Sequence, residues 1–362
     1  MQDITDYITS FMAQKVSQAH QLDTSYEELM TVTAALIQRG GKRLRPCLAS
    51  TMYAALGGQD PLVIIPLAAS QELFHAFLLI HDDIIDRDTV RWGGLNVSGY
   101  YRERLTSSLE EPEANHLADA SALLAGDICH SLAYEMVLAS QLSPEVTLQA
   151  LQLLQQTLFE TLAGEVIDMW VPREAAHDRK AVSLARLRAV CEYKTARYSF
   201  CTPLQLGALA AGAGKETLEV IRQFATPLGI AYQIRDDLLG MFGDESLMGK
   251  PVLSDMQEGK HTILTHYAFN LAPATARAAL ERHIGNPNAT FAELAEVREI
   301  LISSGAASQA QAELTSHINS AKQAFIKLSR LGLDQTGLAK LEIIISSVEE
   351  PVTVTVRTIQ GA

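Results

Sequence analysis

The sequence predicts an all-α protein in a single helical domain. Three observations carry that prediction. Apolar residues recur at helical spacing along almost the whole chain, alternating strand patterns are nearly absent, and no repeat, low-complexity stretch or Ser/Gly linker marks a boundary within 362 residues. With 48% hydrophobic and 20% charged residues, the composition is that of a well-packed globular protein rather than a disordered one.

In chain order, helices are predicted over about 26–38, 43–56, 62–91, 114–142, 144–171, 178–211, 216–241 and 305–330. Ser143-Pro144 is a start signal for the fifth of these. Gly40-Gly41, Gly57-Gly58, Gly93-Gly94 and Gly249-Lys250-Pro251 punctuate the pattern as turns. The tail from Pro351 to Ala362 alternates Val and Thr and is expected to form a strand or an ordered extension.

The formal charge of −13 argues against a nucleic-acid partner, because phosphate backbones are held by clustered Lys and Arg. A few concentrated basic residues can still hold a diphosphate locally. Cys47, Cys129, Cys191 and Cys201 are scattered and read as small buried residues of a reducing compartment. The acidic start lacks the basic and apolar segments of a signal peptide. Apolar tracts are broken by Pro61, Pro66, His75 and Asp82-Asp83, so no stretch of about 20 residues is expected to span a bilayer. A cytoplasmic protein without stable membrane insertion is expected.

Chemistry first shows in Asp82-Asp83-Ile84-Ile85-Asp86, at the end of an apolar run. Asp82 and Asp86 are four apart, so on a helix both carboxylates point the same way. Carboxylates near a core must be paired or coordinate a metal, and magnesium suits them: a hard ion, held by one or two carboxylates plus substrate phosphates. Alone, this cluster reads equally as a metal site or a solvated helix end. Asp236-Asp237 closes a second apolar helix about 150 residues later, which favours the metal site, since facing helices of a bundle build such sites. A basic segment, Gly40-Gly41-Lys42-Arg43-Leu44-Arg45-Pro46, lacks P-loop spacing, yet Lys42 and Arg45 are three apart and can converge on one anion. Lys194, Arg197, Lys250 and Lys260 add basic residues near the other motifs.

In these residues the sequence resembles the trans-isoprenyl diphosphate synthases. The match runs in order from Gly40 to Lys260: the basic segment, Glu72-x-x-His75, His81 to Asp86, Gly126-Asp127, Gly164 to Asp168, Lys194-Thr195, Tyr232 to Asp237, Gly249 to Asp255 and Glu258-Gly259-Lys260. The resemblance implies a single bundle around a deep cavity, usually a homodimer, with a motif-bearing core over about 26–270 and C-terminal helices over about 271–350. It implies condensation of isopentenyl diphosphate with an allylic diphosphate, using about three magnesium ions per site. Asp82, Asp83 and Asp86 would bind magnesium on the allylic diphosphate, and Asp236 and Asp237 a further ion. Arg91, Lys194, Thr195, Gln233, Lys250 and Lys260 match positions around the allylic diphosphate; Lys42, Arg45 and His75 match the isopentenyl diphosphate pocket.

Departures from the family pattern sharpen the expectations. Arg91-Trp92-Gly93 stands where Arg-Arg-Gly is usual, so one phosphate clamp is lost at Trp92. Gly240 replaces a third Asp, Glu165 stands where Gln is commoner, and Thr106 to Leu117 reads as an insertion forming a mobile loop over the active-site mouth. Phe77 and Leu78, one turn before the first Asp, form the expected floor of the cavity and favour a short product, farnesyl or geranylgeranyl diphosphate. A class I terpene cyclase and a non-catalytic subunit of a heteromeric synthase are the competing readings. Lys42 and Arg45 oppose the first, and the intact Asp pairs oppose the second.

Overall fold

The structure, a computed structural model, describes residues 1–177, 182–243 and 253–354. Its regular elements are helical except for one hairpin, β1 (Val90–Arg91) and β2 (Gly94–Leu95), in accord with the predicted class. In chain order the helices are α1 (Gln2–His20), α2 (Thr24–Arg39), α3 (Leu44–Ala55), α4 (Pro61–Asp86), α5 (Val97–Leu105), α6 (Glu111–Ala139), α7 (Pro144–His177) and α8 (Leu184–Val190). A π-helix (Cys191–Cys201) continues α8 and passes into α9 (Thr202–Ala210). Then come α10 (Lys215–Phe242), α11 (Ser254–Gln257), α12 (Ile263–Leu271), α13 (Ala274–His283), α14 (Phe291–Ser303), α15 (Ala306–Leu328) and α16 (Gln335–Glu349). They cluster into two compact units, Met1–Leu153 with Pro203–Ala213, and Leu154–Thr202 with Gly214–Ala362.

The first unit is organised by α4 packed along α6. Asp60 caps α4 through a 2.9 Å bond from the Leu62 N–H, and Pro61 occupies the first turn, where its missing N–H costs nothing. Pro66, further in, leaves the Leu62 carbonyl without an intrahelical donor. The backbone N–H of Gln141 takes that carbonyl at 3.3 Å. The buried face then runs through Leu67, Leu73, Phe74, Phe77 and Ile80. The helix stops at Asp86 because Arg87 adopts a left-handed conformation, φ 62°. The predicted helix over 62–91 is thus five residues too long, and Arg91 sits on β1 instead.

Two further expectations are corrected here, and one helix is added. Thr106 to Leu117 is no long loop: α5 ends at Leu105 and α6 begins at Glu111, leaving a tight turn with bonds from the Ser108 and Leu109 N–H groups to the Leu105 carbonyl. The first helix was not foreseen, although Ile4, Ile8 and Met12 repeat every four residues and are buried. Finally, α4 and α6 are long and apolar enough to cross a membrane by length and composition; 72% and 44% of their most apolar windows are buried within the protein. The polar residues that interrupt these helices are too few to lower the mean hydropathy of a whole window.

In the second unit α10 packs between α15 and the π-helix. Ile221, Phe224, Leu228, Ile234 and Leu238 recur at helical spacing on its buried face. Gly229 lets the π-helix come close, since a β-carbon there would lie 2.5 Å from the Ala196 Cα. Where residues 178–211 were expected to form one helix, 178–181 fall outside the described residues, and the rest is α8, the π-helix and α9. In the tail, 351–354 have no regular structure, and 355–362 are outside the described residues.

Candidate active site

In the first unit, the C-terminal turns of α4 carry Asp82, Asp83 and Asp86. Asp83 is buried, 2% exposed, whereas Asp82 and Asp86 are half-buried on the same face. The hairpin after α4 returns Arg91 onto them. Its Nε donates to Asp83 Oδ1 at 2.8 Å, and its Nη2 lies 3.2 Å from Asp88 Oδ2 and 3.9 Å from Asp82 Oδ2. Burial still pushes the Asp83 carboxyl up to about 6 against the pull of Arg91, with the charges of Asp82 and Asp88 adding to it. Arg91 therefore serves the carboxylate motif directly.

The basic segment lies in the same unit. Arg43 takes a left-handed backbone, φ 51°, just before α3. Its guanidinium pairs with buried Glu72 of α4 at 2.7 Å and donates to the Ile37 carbonyl at 2.6 Å. Arg43 is thus an anchor, leaving Lys42 exposed and Arg45 half-buried. His75 lies on α4 two turns before Asp82, and burial together with the positive charges of Arg45, Arg91 and Arg43 holds its imidazole well below the ordinary range. The structure so gathers Arg45 and His75 into one cationic pocket, neutral at the imidazole. Beside them, Trp92 packs edge-on to the His75 ring with centroids 6.4 Å apart.

Phe77 is 5% exposed and stands between the rings of His81 and His130, each 4.9 Å away, with Phe74 at 5.9 Å. His130 in turn meets Tyr134 at 4.9 Å. Leu78, next in sequence to Phe77, is half-buried. The aromatic stack under the expected floor was not foreseen, because His130 and Tyr134 on α6 show their four-residue spacing but no sign of which residue they meet.

In the second unit, the π-helix presents consecutive residues to two different helices. Lys194 Nζ lies 2.7 Å from Asp168 Oδ2 and 2.9 Å from Glu165 Oε2 on α7. Thr195 donates to Gln233 Oε1 of α10 at 2.5 Å, and Gln233 Nε2 donates to Asp237 Oδ1 at 2.8 Å. This relay fixes Asp237, while Asp236 is exposed. Burial, then Asp236, Asp255 and Asp168, push the Asp237 carboxyl up to about 8, against the Gln233 hydrogen bond. Gly240 makes room for Asp255: a β-carbon there would overlap the Asp255 carboxylate. The position that lacks a third Asp in the motif thus has another carboxylate beside it. Lys260 faces Glu258 at 2.8 Å and Asp255 at 3.9 Å. Lys250 lies outside the described residues.

A carboxyl that burial and neighbouring carboxylates drive up to about 8 needs either a proton or a cation, and all-oxygen donors suit magnesium. Among the described residues no three His, Cys, Asp or Glu side chains converge on one ion. The donor set fits an ion whose shell is completed by water and substrate phosphate.

A family model described as polyprenyl synthetase matches residues 26–301. The chain belongs to that family. It is 32% identical over 320 residues to the geranylfarnesyl diphosphate synthase of Aeropyrum pernix, covering 87% of this chain and 92% of that one. It is 30% identical to the geranylgeranyl diphosphate synthase of Sulfolobus acidocaldarius, covering 82% and 84%. Among solved structures, geranylgeranyl pyrophosphate synthase from Corynebacterium glutamicum, complexed with isoprenyl diphosphate and magnesium, superimposes with a TM-score of 0.87 at 26% identity, covering 96% and 97% of the two chains. In this polyprenyl synthetase, Asp82, Asp83 and Asp86 end α4, and Asp236 and Asp237 lie near the C-terminal end of α10.

Proposed function

We propose that this polyprenyl synthetase is a short-chain trans-isoprenyl diphosphate synthase. It is a transferase of isoprenoid biosynthesis that joins isopentenyl diphosphate head-to-tail to dimethylallyl, geranyl or farnesyl diphosphate. The observation that carries this reading is the pairing of two chemistries: carboxylate motifs suited to a metal-bound diphosphate, and a separate cationic pocket suited to a second, metal-free one. A terpene cyclase has no use for the second pocket, and a non-catalytic subunit has no use for the carboxylates.

Asp82, Asp83 and Asp86 would hold magnesium against the allylic diphosphate, and Asp237 with Asp236 a further ion, to a total of about three. When bound, the metal neutralises charge on the leaving diphosphate. Lys194 and Lys260, with Lys250, would supply positive charge to the leaving diphosphate, so that the allylic carbon–oxygen bond breaks and both electrons leave with the diphosphate. Lys42, Arg45 and His75 hold isopentenyl diphosphate so that its double bond attacks the allylic carbon. A proton then leaves the new cation for the departing diphosphate, which makes a side-chain base unnecessary. Phe77 and Leu78 close the cavity and keep the product at farnesyl or geranylgeranyl length. A homodimer acting in the cytoplasm is part of this reading.

Labelled isopentenyl diphosphate, magnesium and each allylic primer in turn, with products resolved by length, test it. Incorporation with at least one primer is expected, and abolished by Asp82→Ala with the fold retained. No incorporation with any primer would refute it.

A further inference from the structure

A buried carboxylate in the second unit joins three helices at one point. Glu313 on α15 is 8% exposed. Its Oε1 accepts from Arg188 Nε of α8 at 2.6 Å, and its Oε2 accepts from the Tyr267 hydroxyl of α12 at 2.5 Å. Against burial, these two hydrogen bonds hold the Glu313 carboxyl below its ordinary range, so it is charged at neutral pH. A buried ion pair contributes little net stability beside well-packed apolar side chains, and its best-attested use is to fix the register of the elements it joins.

Each arm of this junction leads to a lysine of the candidate site. Helix α8 runs without a break into the π-helix, so Arg188 and Lys194 stand on one continuous helical segment. On the other arm, Thr262 and Thr265 form a capping box at the start of α12, and Thr265 Oγ1 lies 3.4 Å from the Lys260 carbonyl, to which it donates. The backbone of Lys260 is thereby tied to the helix that carries Tyr267. The junction also adjoins the second carboxylate motif. Cys191, at the start of the π-helix, is buried, and its thiol is pushed up by burial and then by the charges of Asp237, Asp168 and Glu313. A lysine ammonium rides on a flexible stem with rotatable donors, so its placement depends on the backbone that carries it.

We infer that Glu313 is a positioning residue: by holding Arg188 and Tyr267 on one carboxylate, it sets Lys194 and Lys260 relative to each other around the leaving diphosphate. The inference rests on the synthase reading above, in which both lysines face that group. Glu313 touches no substrate in this account and acts only through the two helices it joins.

Tyr267→Phe tests it, because it removes one hydroxyl from a half-buried ring and leaves the Arg188–Glu313 pair in place. Binding of inorganic pyrophosphate at saturating magnesium, followed by calorimetry well below the melting temperature, is expected to weaken about tenfold, less than the hundredfold that a misplacement of about 1 Å can cost. In a Lys260→Ala background the same substitution should change binding by less than about twofold, since that arm then has no lysine to place. Glu313→Gln, which disturbs both arms, should still weaken binding in that background through Lys194. In steady-state kinetics Tyr267→Phe should raise KM for the allylic primer and leave KM for isopentenyl diphosphate unchanged. A brace that serves stability alone would lower the melting temperature and leave pyrophosphate binding as it was. Unchanged binding in Tyr267→Phe, or equal weakening with and without Lys260, would overturn the inference. A wild-type chain that shows this coupling but incorporates no isopentenyl diphosphate with any primer would instead overturn the synthase reading.

Discussion

Replacing Arg91 by Met tests whether the hairpin exists to neutralise the carboxylate motif. The Asp83 side chain is 3% exposed and that of Arg91 17%, so this pair is largely removed from water. Removing one partner of a buried pair costs about 3–5 kcal/mol, because the other charge is left uncompensated. At about 2 cal/mol/K of unfolding entropy per residue, a loss of about 4 kcal/mol lowers the melting temperature by roughly 5 °C in a chain this long. The pH dependence is diagnostic. The Asp83 carboxyl is raised to about 6 in the folded state, above its usual range. Folded protein therefore binds this proton more tightly than unfolded protein, and this group's penalty grows as pH rises from about 4 to 6. Without Arg91 the carboxyl rises further, so the variant's deficit is largest near pH 7–8 and narrows as pH falls through 6. Urea unfolding across pH 5–8 reads this directly, and adding Asp83→Asn should restore most of the loss. A deficit below about 1 kcal/mol, or one independent of pH, would show that Arg91 is not the counter-charge of Asp83.

Further expectations follow the same logic. Asp237→Asn should flatten the fall in metal-free stability between about pH 4 and 8 that a carboxyl raised to about 8 imposes, while abolishing turnover; in the wild type, magnesium with diphosphate should release protons below pH 8, measurable by calorimetry in buffers of different ionisation heat. Phe77→Ala should lengthen the product, and an unchanged length would dismiss Phe77 as the floor. Gly164→Ala should destabilise by about 1–3 kcal/mol through overpacking, because its β-carbon would overlap the backbone of Lys194; a neutral result in thermal melts would mean that α7 yields easily there.

How much of this was legible in the sequence depends on how local each cause is. The four-residue spacing of Asp82 and Asp86 sits on a regular helix, and the apolar period of α10 survives intact in the structure, so both could be read directly. The stop at Asp86 could not, because Arg87 enters the left-handed region without the glycine that usually announces it. Arg43 stands in the basic segment with no sign of its anchoring role, because its partner Glu72 lies 29 positions away and only packing brings them together. The buried cap at Asn96 shows the same limit. The Asn96-Val97-Ser98 triplet matches a glycosylation acceptor, yet Asn96 is 1% exposed, accepting from the Gly99 N–H and donating to the Asp88 carbonyl.

The π-helix has a consequence for how this enzyme can change over generations. A π turn holds more residues than an α turn over the same rise. Deleting one residue between Cys191 and Cys201 would let the segment relax to ordinary α geometry and keep the helix unbroken. The flanking helices would keep their orientation, because the residue removed is the one the wider turn absorbs, and the side chains inside the stretch would change the direction in which they point. Lys194 could no longer meet α7 while Thr195 met α10. The fold could survive such a deletion and the chemistry could not, so this stretch should accept substitutions far more readily than changes of length.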